Sequence, residues 1–243
     1  MPSGVSVNVT IRPSLHLDGC TEGLWSEATA PYALIPVAPP KGWQPDSTQT
    51  VSIQLLLYKC ERISIGPYSR GPVFIMLEAV SGGEPPSACQ QGHPNGNPVL
   101  NKVWLSDSDV ASYMKGQFNL PAEYAEINLT LTTVGPVIQQ RWTFGLPGQQ
   151  PSDLNETHVS PRDGTGDHGH RYFWVNQAGG ITYADFNETW HTAGFDAGHT
   201  VGIIREPLLW GKIGIWEGEG RVFNTSVAAD FAQFEDMQCK QPL

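Results

Sequence analysis

Basic residues are scarce in this chain: six Lys and eight Arg stand against 24 Asp and Glu, a formal net charge of −10. That balance argues against a nucleic-acid surface or an anionic membrane surface, both of which are bound by basic patches. Charge of either sign is sparse, at 16% of the chain, which excludes a coiled coil. No apolar run approaches the ~18 residues that a membrane-spanning helix requires. What is plentiful is turn chemistry: 26 Gly and 20 Pro are the usage of a turn-rich β protein. A hydrophobic content of 40% excludes a largely disordered chain. A length of 243 residues suits one domain over 1–243, since no repeat or long linker divides it.

Asparagine is also uncommon, with ten in all, yet five head an N-x-[ST] sequon: Asn8, Asn128, Asn155, Asn187 and Asn224. With 32 Ser and Thr in the chain, chance alone gives roughly one such triplet. The excess points to a glycosylating secretory pathway, with N-linked glycans as covalent partners. Four cysteines, an even number, read as two disulfides in the same compartment. Three pairings are open. The expected one is Cys60–Cys89 with Cys20–Cys239, the second stapling the two ends of the chain. No signal peptide is visible before the alternating Val5-to-Ile11 stretch, as expected if a natural leader was removed and replaced by a start Met.

The hydrophobic pattern predicts strands at Thr50–Ile65, at 72–80 and at Val99–Leu105, with Gly66-to-Gly71 turning between the first two. Ser106-Asp-Ser-Asp109 supplies capping oxygens. Val110, Tyr113, Met114 and Phe118 follow at helical spacing, which predicts a short helix over 107–117. Ile127, Leu129 and Leu131 alternate with polar residues, placing Asn128 on the outer face of a strand. Val227, Phe231 and Phe234 predict a second helix over 227–236. Many short strands without a βαβ rhythm read as an antiparallel barrel or sandwich.

Three constellations could carry chemistry. His168 and His170, if on a strand, point to one face and could ligate a metal, but no carboxylate follows where a cupin-like site wants one. A polar stretch with ordinary histidines is the better reading, and no metal or other cofactor is expected. Trp210, Trp216, Glu217 and Glu219 bring rings and acids together as glycoside hydrolysis requires. Tryptophans in an all-β chain are more often core plugs, however. The glycines at 211, 214, 218 and 220 open no helix and so make no phosphate site, and no G-x-S-x-G elbow is present.

The stretch from Cys60 to Glu126 runs strand, G-P-Y turn (Gly66 to Tyr68), apolar strand, polar loop, strand and short helix. It ends in Asn119-Leu-Pro-Ala-Glu-Tyr-Ala-Glu126. This order resembles acetoacetate decarboxylase-like proteins, and Pro36-to-Trp43 is similar to the entry loop of their fungal members. The resemblance implies a mainly β fold, an antiparallel barrel of this or a calycin-like type with two short helices, around a pocket. It also marks two departures. The slot of the family's Schiff-base lysine holds Ala122 and Glu123, and Arg70 stands where an acidic residue follows the turn. The decarboxylation needs a desolvated lysine nucleophile, so the pocket is expected without that chemistry. The general layout is also similar to secreted fungal hetero-Diels–Alderases of tropolonic sesquiterpene biosynthesis. The function then implied is a cyclase for a small apolar polyketide or terpenoid substrate. Arg70 and Tyr68 act at the pocket turn, and Glu123 assists dehydration to a quinone methide as acid or base. Trp104, Tyr124, Trp142, Tyr172 and Trp174 line the cavity. The alternatives are a secreted, non-catalytic binder of carbohydrate or small ligands and a decarboxylase-like lyase. A homo-oligomer is compatible with all of these.

Overall fold

Thr50–Ile65 carries apolar side chains at both parities through Leu55-Leu56-Leu57-Tyr58, and such a strand is stable only with both faces covered. In the computed structural model this is so. Val51, Ile53, Leu55 and Leu57 enter one core, and Leu56, Tyr58 and Cys60 enter another on the opposite face. The structure describes residues 10–11, 14–35, 44–45, 49–81, 83–84, 98–159, 163–175, 181–193 and 198–233.

Among these residues the elements in chain order are β1 (Thr10–Ile11), β2 (Leu15–Pro31), β3 (Gln44–Pro45), β4 (Thr50–Ile65), β5 (Tyr68–Arg70), β6 (Val73–Ser81), β7 (Gly83–Glu84) and β8 (Val99–Leu105). Next come helix α1 (Ser108–Phe118), β9 (Ala122–Tyr124), β10 (Glu126–Val134), β11 (Val137–Gly145), β12 (Ser152–Val159), β13 (Asp163–Val175), β14 (Ile181–Ala193) and β15 (Gly198–Ile203). A 3-10 turn (Leu209–Lys212) and β16 (Ile215–Gln233) follow. The main sheet runs β10-β11-β12-β15-β16-β14-β13-β8-β6-β4-β2, and β16 also pairs with β2.

The mainly β expectation holds, but the sheet is not a closed antiparallel barrel. The join between β8 and β13 is one parallel pair, Val99 with Phe173. Strands β10, β11, β12 and β15 extend from β16 as a wing.

Helix α1 forms where its sequence predicts it. The Asp107 carboxylate accepts from the backbone N–H groups of Asp109 and Val110, at 3.0 and 2.9 Å, and Val110, Met114 and Phe118 are buried. The helix expected over 227–236 does not form across its described residues, 227–233, and the rest of that range lies outside the described residues. Residues up to Gln233 continue β16, with Val227 paired to Glu188 on one side and to Leu17 on the other. Ladder pairing with β14 through Ala232 and with β2 through Ala229 outweighs a local i, i+4 pattern.

The expected disulfides are corrected too. Cys20 and Cys60 face each other in the β2–β4 register and are bonded to one another, which removes both Cys60–Cys89 and Cys20–Cys239. Cys89 and Cys239 lie outside the described residues, as does Asn8.

Candidate functional site

The core on one face of β4, β6 and β8 encloses a small apolar cavity of about 20 Å³. Leu17, Ile75, Leu77, Val103 and Met114 are among its lining, and Tyr58 contributes the one hydroxyl. No charged side chain lines it among the described residues. Helix α1 covers one side through Met114, and Phe186 of β14 closes another. A wall of this kind offers dispersion and shape, with almost no polar handle.

At the end of α1 two of the sequence-derived candidates come together. Tyr68 is half-buried against the cavity core, and Arg70 lies over its ring at 5.5 Å, a cation–π contact. Arg70 is half-exposed and 3.9 Å from the helix-capping Asp107, so the cap also holds its guanidinium near the helix start. Tyr68 meets Tyr113 edge-on at 5.2 Å, and Tyr113 meets Phe118 at 6.1 Å. The Phe118 carbonyl accepts from the indole N–H of Trp174, at 3.2 Å. Arg70, Tyr68 and Trp174 thus belong to one chain of contacts over the cavity core. Its middle members, Tyr113 and Phe118, show in the sequence only a helix-packing period. Gly66, with φ +54°, lies under the Tyr113 ring, where any Cβ would collide with the hydroxyl.

Glu123 is elsewhere. Ala122, in the same two-residue slot, is buried in the cavity core. The next side chain in a strand points the other way, and Glu123 meets Lys102 Nζ at 3.4 Å on the opposite face of β8 and β9. Lys102 in turn faces Glu78 across the β6–β8 ladder. Glu78 is fully buried and accepts from Asn101 Nδ2 (2.5 Å) and from the Leu209 backbone N–H (2.8 Å). Burial raises its pKa from 4.5 to about 7, against the lowering effect of these donors and of Lys102. The signal for Glu78 was present in the sequence: a single acid inside the apolar run Val73-Phe-Ile-Met-Leu-Glu-Ala-Val80.

The remaining aromatic candidates divide between the two cores. Tyr172 and Trp174 belong to the cavity core, and Tyr172 packs edge-on against the cavity-lining Phe186 at 5.0 Å. Trp104 and Trp142 are buried in the other core, the latter donating to Gln140 Oε1 at 2.9 Å, and Tyr124 is exposed. The structure therefore does not gather the five around one cavity. Trp210 and Trp216 pack against each other in that second core and bond to Ile215 O and Ser26 Oγ. They are core plugs, with Glu217 and Glu219 exposed beside them. His168 and His170 sit two apart on β13 and so share a face, but their side chains lie outside what is described. No cluster of three metal-ligating side chains occurs among the described residues. Asn128 and Asn155 are exposed on β10 and β12, while Asn187 and Asn224 are placed by backbone alone, on β14 and β16. No helix is long and apolar enough to cross a membrane among the described residues.

No protein-family model matches the chain, and no curated protein matches it. Solved structures do. An enduracididine biosynthesis enzyme, MppR, with HEPES buffer bound superposes with a TM-score of 0.58 at 12% identity, covering 96% of this chain and 97% of that one. The same enzyme complexed with pyruvate gives 0.57 at 12% identity, over 96% and 94%. The acetoacetate decarboxylase of Legionella pneumophila gives 0.56 at 12% identity, over 97% and 92%. Along nearly its whole length, this chain has the acetoacetate decarboxylase-like fold.

Proposed function

We propose that this protein is a secreted enzyme that binds an apolar, polyene-like substrate in the cavity and directs its cyclisation by a hetero-Diels–Alder step. The observation that carries the reading is the uncharged lining of the cavity, together with Ala122, which stands where the resemblance puts a Schiff-base lysine and is buried in the core around the cavity. Covalent catalysis has no nucleophile there, whereas a pericyclic step needs none. In such a step the heterodiene of a quinone methide and the alkene form one C–C and one C–O bond. Three π bonds become two σ bonds and one π bond, and no proton is transferred. What the cavity contributes is the near-attack arrangement of two apolar partners. Arg70 stands outside the uncharged lining, against the Tyr68 ring and near Asp107, and its role as donor requires the quinone-methide oxygen to project beyond the apolar wall to its guanidinium. Glu123 has no part in this step, because its carboxylate is paired with Lys102 on the other face. Secretion and N-glycosylation belong to the same proposal. The Cys20–Cys60 bond and the exposed Asn128 and Asn155 support them.

The test is product formation from a tropolone-type quinone-methide precursor and a cyclic sesquiterpene alcohol. Stereoselectivity should appear with the protein and fall by about tenfold or more in Arg70→Ala with the fold intact. Identical product ratio and optical purity with and without protein would sink the reading. The same uncharged cavity also suits a non-catalytic carrier. A carrier would bind the precursor tightly and leave the rate and stereochemistry unchanged.

A further inference from the structure

Strand β8 does not alternate cleanly. Leu105 and Val103 face the cavity core from opposite Ile75 and Leu77, and Trp104 and Lys102 face the other side from opposite Met76 and Glu78. Continued alternation would send Asn101 toward the cavity and Leu100 away from it. Instead the register slips between Glu78 and Ala79. Asn101 is the extra residue, and Leu100 lands opposite Ala79, in the cavity wall. A bulge of this kind re-aims a side chain, and something must hold it. Asn101 gives its amide to Glu78 Oε2 at 2.5 Å, and Glu78 Oε1 takes the Leu209 N–H of the 3-10 turn at 2.8 Å.

We propose that Glu78 is a positioning residue for the cavity: from the far face of the sheet it pins the Asn101 bulge that turns Leu100 into the apolar wall, and its charge state sets how well the cavity binds. The second half of this rests on the reading that the cavity binds a ligand.

Every neighbour that bonds to Glu78 is a donor: the Asn101 amide and the backbone N–H groups of Leu209 and Trp210. A carboxylate answers all of them, whereas a protonated acid turns an O–H toward donors. The charged groups around it are Lys102 on β8, with Glu123 on β9 beyond it, while Lys212 at the end of the 3-10 turn is exposed. Strand β4 presents Leu55 directly opposite, with Leu57 on the same face. With titration near neutrality, the ionised form answers all of its donors and holds the bulge at pH 8, at a cost in overall stability, and the protonated form releases the Asn101 amide and loosens the bulge at pH 6. By linkage, a ligand in the cavity favours the ionised form in turn.

The experiment uses diphenylhexatriene, a neutral polyene probe that does not titrate, with wild-type protein, Glu78→Gln and Asn101→Ala. Wild-type affinity should rise about fivefold or more from pH 6 to pH 8, the range of an ordinary coupling. Glu78→Gln should flatten that profile, and Asn101→Ala should weaken binding at both pH values. The Leu100 methyl resonances, assigned through Leu100→Ala, give a readout that needs no ligand. They should shift with pH near neutrality in wild type and stay still in Glu78→Gln. Shifting methyls with no probe binding at any pH would keep the Glu78–bulge coupling and remove the ligand-binding reading. Methyls that ignore pH, or that move alike in wild type and Glu78→Gln, overturn the proposal.

Discussion

A carboxyl group buried in the middle of a sheet is pulled two ways, and Glu78 shows the balance in one side chain. Loss of water favours the neutral form, while the Asn101 and Leu209 donors and the Lys102 charge favour the ion. Burial is the larger effect, so its pKa stands at about 7 instead of 4.5. The sign for stability follows from that elevation. The folded protein holds this proton more tightly than the unfolded chain does. The resulting stabilisation is full below about pH 4.5 and is lost as pH rises through about 7. Converted at the usual rate, the loss is about 3 kcal/mol. Denaturant unfolding at pH 5 and pH 8 should show wild type losing stability of this order relative to Glu78→Gln. Equal slopes in the two proteins would show that Glu78 does not titrate in this range. The sequence hinted at this residue without revealing its partners. A lone acid in an apolar strand implies a buried, satisfied carboxylate, but its donors lie 23 and 131 residues further along the chain.

Elements were legible in proportion to how local their causes are. Strands β4 and β8 begin and end where the apolar pattern does, because the pattern itself makes them half- or fully buried. Helix α1 is equally local: a cap, a first-turn acid and one apolar stripe. The C-terminal stretch of β16 has the sequence of a helix as much as of a strand, because Val227 and Phe231 fit both periods, and only the neighbours β2 and β14 decide between them. Period-2 geometry also explains the fate of Glu123. Sequence could place it in the lysine slot, but only the strand β9 shows that Ala122 takes the cavity side. The local account of α1 can be checked directly. Asp107→Ala should cost about 1 kcal/mol of stability through the lost cap, while Asp107→Asn should cost only a few tenths because Asn caps equally well. Thermal unfolding of the pair measures this. A loss as large in the Asn variant would transfer the effect to the Arg70–Asp107 charge contact, which at 3.9 Å and half-exposed should be weak.

At the scale of the whole molecule, 12% identity with a TM-score of 0.56 to the acetoacetate decarboxylase means that a common scaffold carries a different set of side chains. The scaffold requires apolar strands on both faces of β4 and a helix over one end. It does not require a nucleophile in the cavity, so the chemistry is free to change while the fold persists. A Schiff base needs an amine that is both reachable by a keto acid and stripped of water. Among the described lysines none meets both conditions. Lys115 is exposed on α1, Lys212 is exposed at the end of the 3-10 turn, and Lys59 is half-buried on β4 beyond the cavity lining. Lys102 is half-buried, but it sits on the far face of the sheet from the cavity and is held by Glu123. Borohydride reduction in the presence of a keto acid should therefore leave the mass of the intact protein unchanged, under conditions that fully trap a lysine-type decarboxylase run alongside. A stoichiometric adduct mapping to Lys102 would mean that the sheet opens to admit substrate from its charged face, and one mapping to Lys115 that α1 turns inward. Either result would return the protein to amine catalysis and remove the basis for a nucleophile-free cavity.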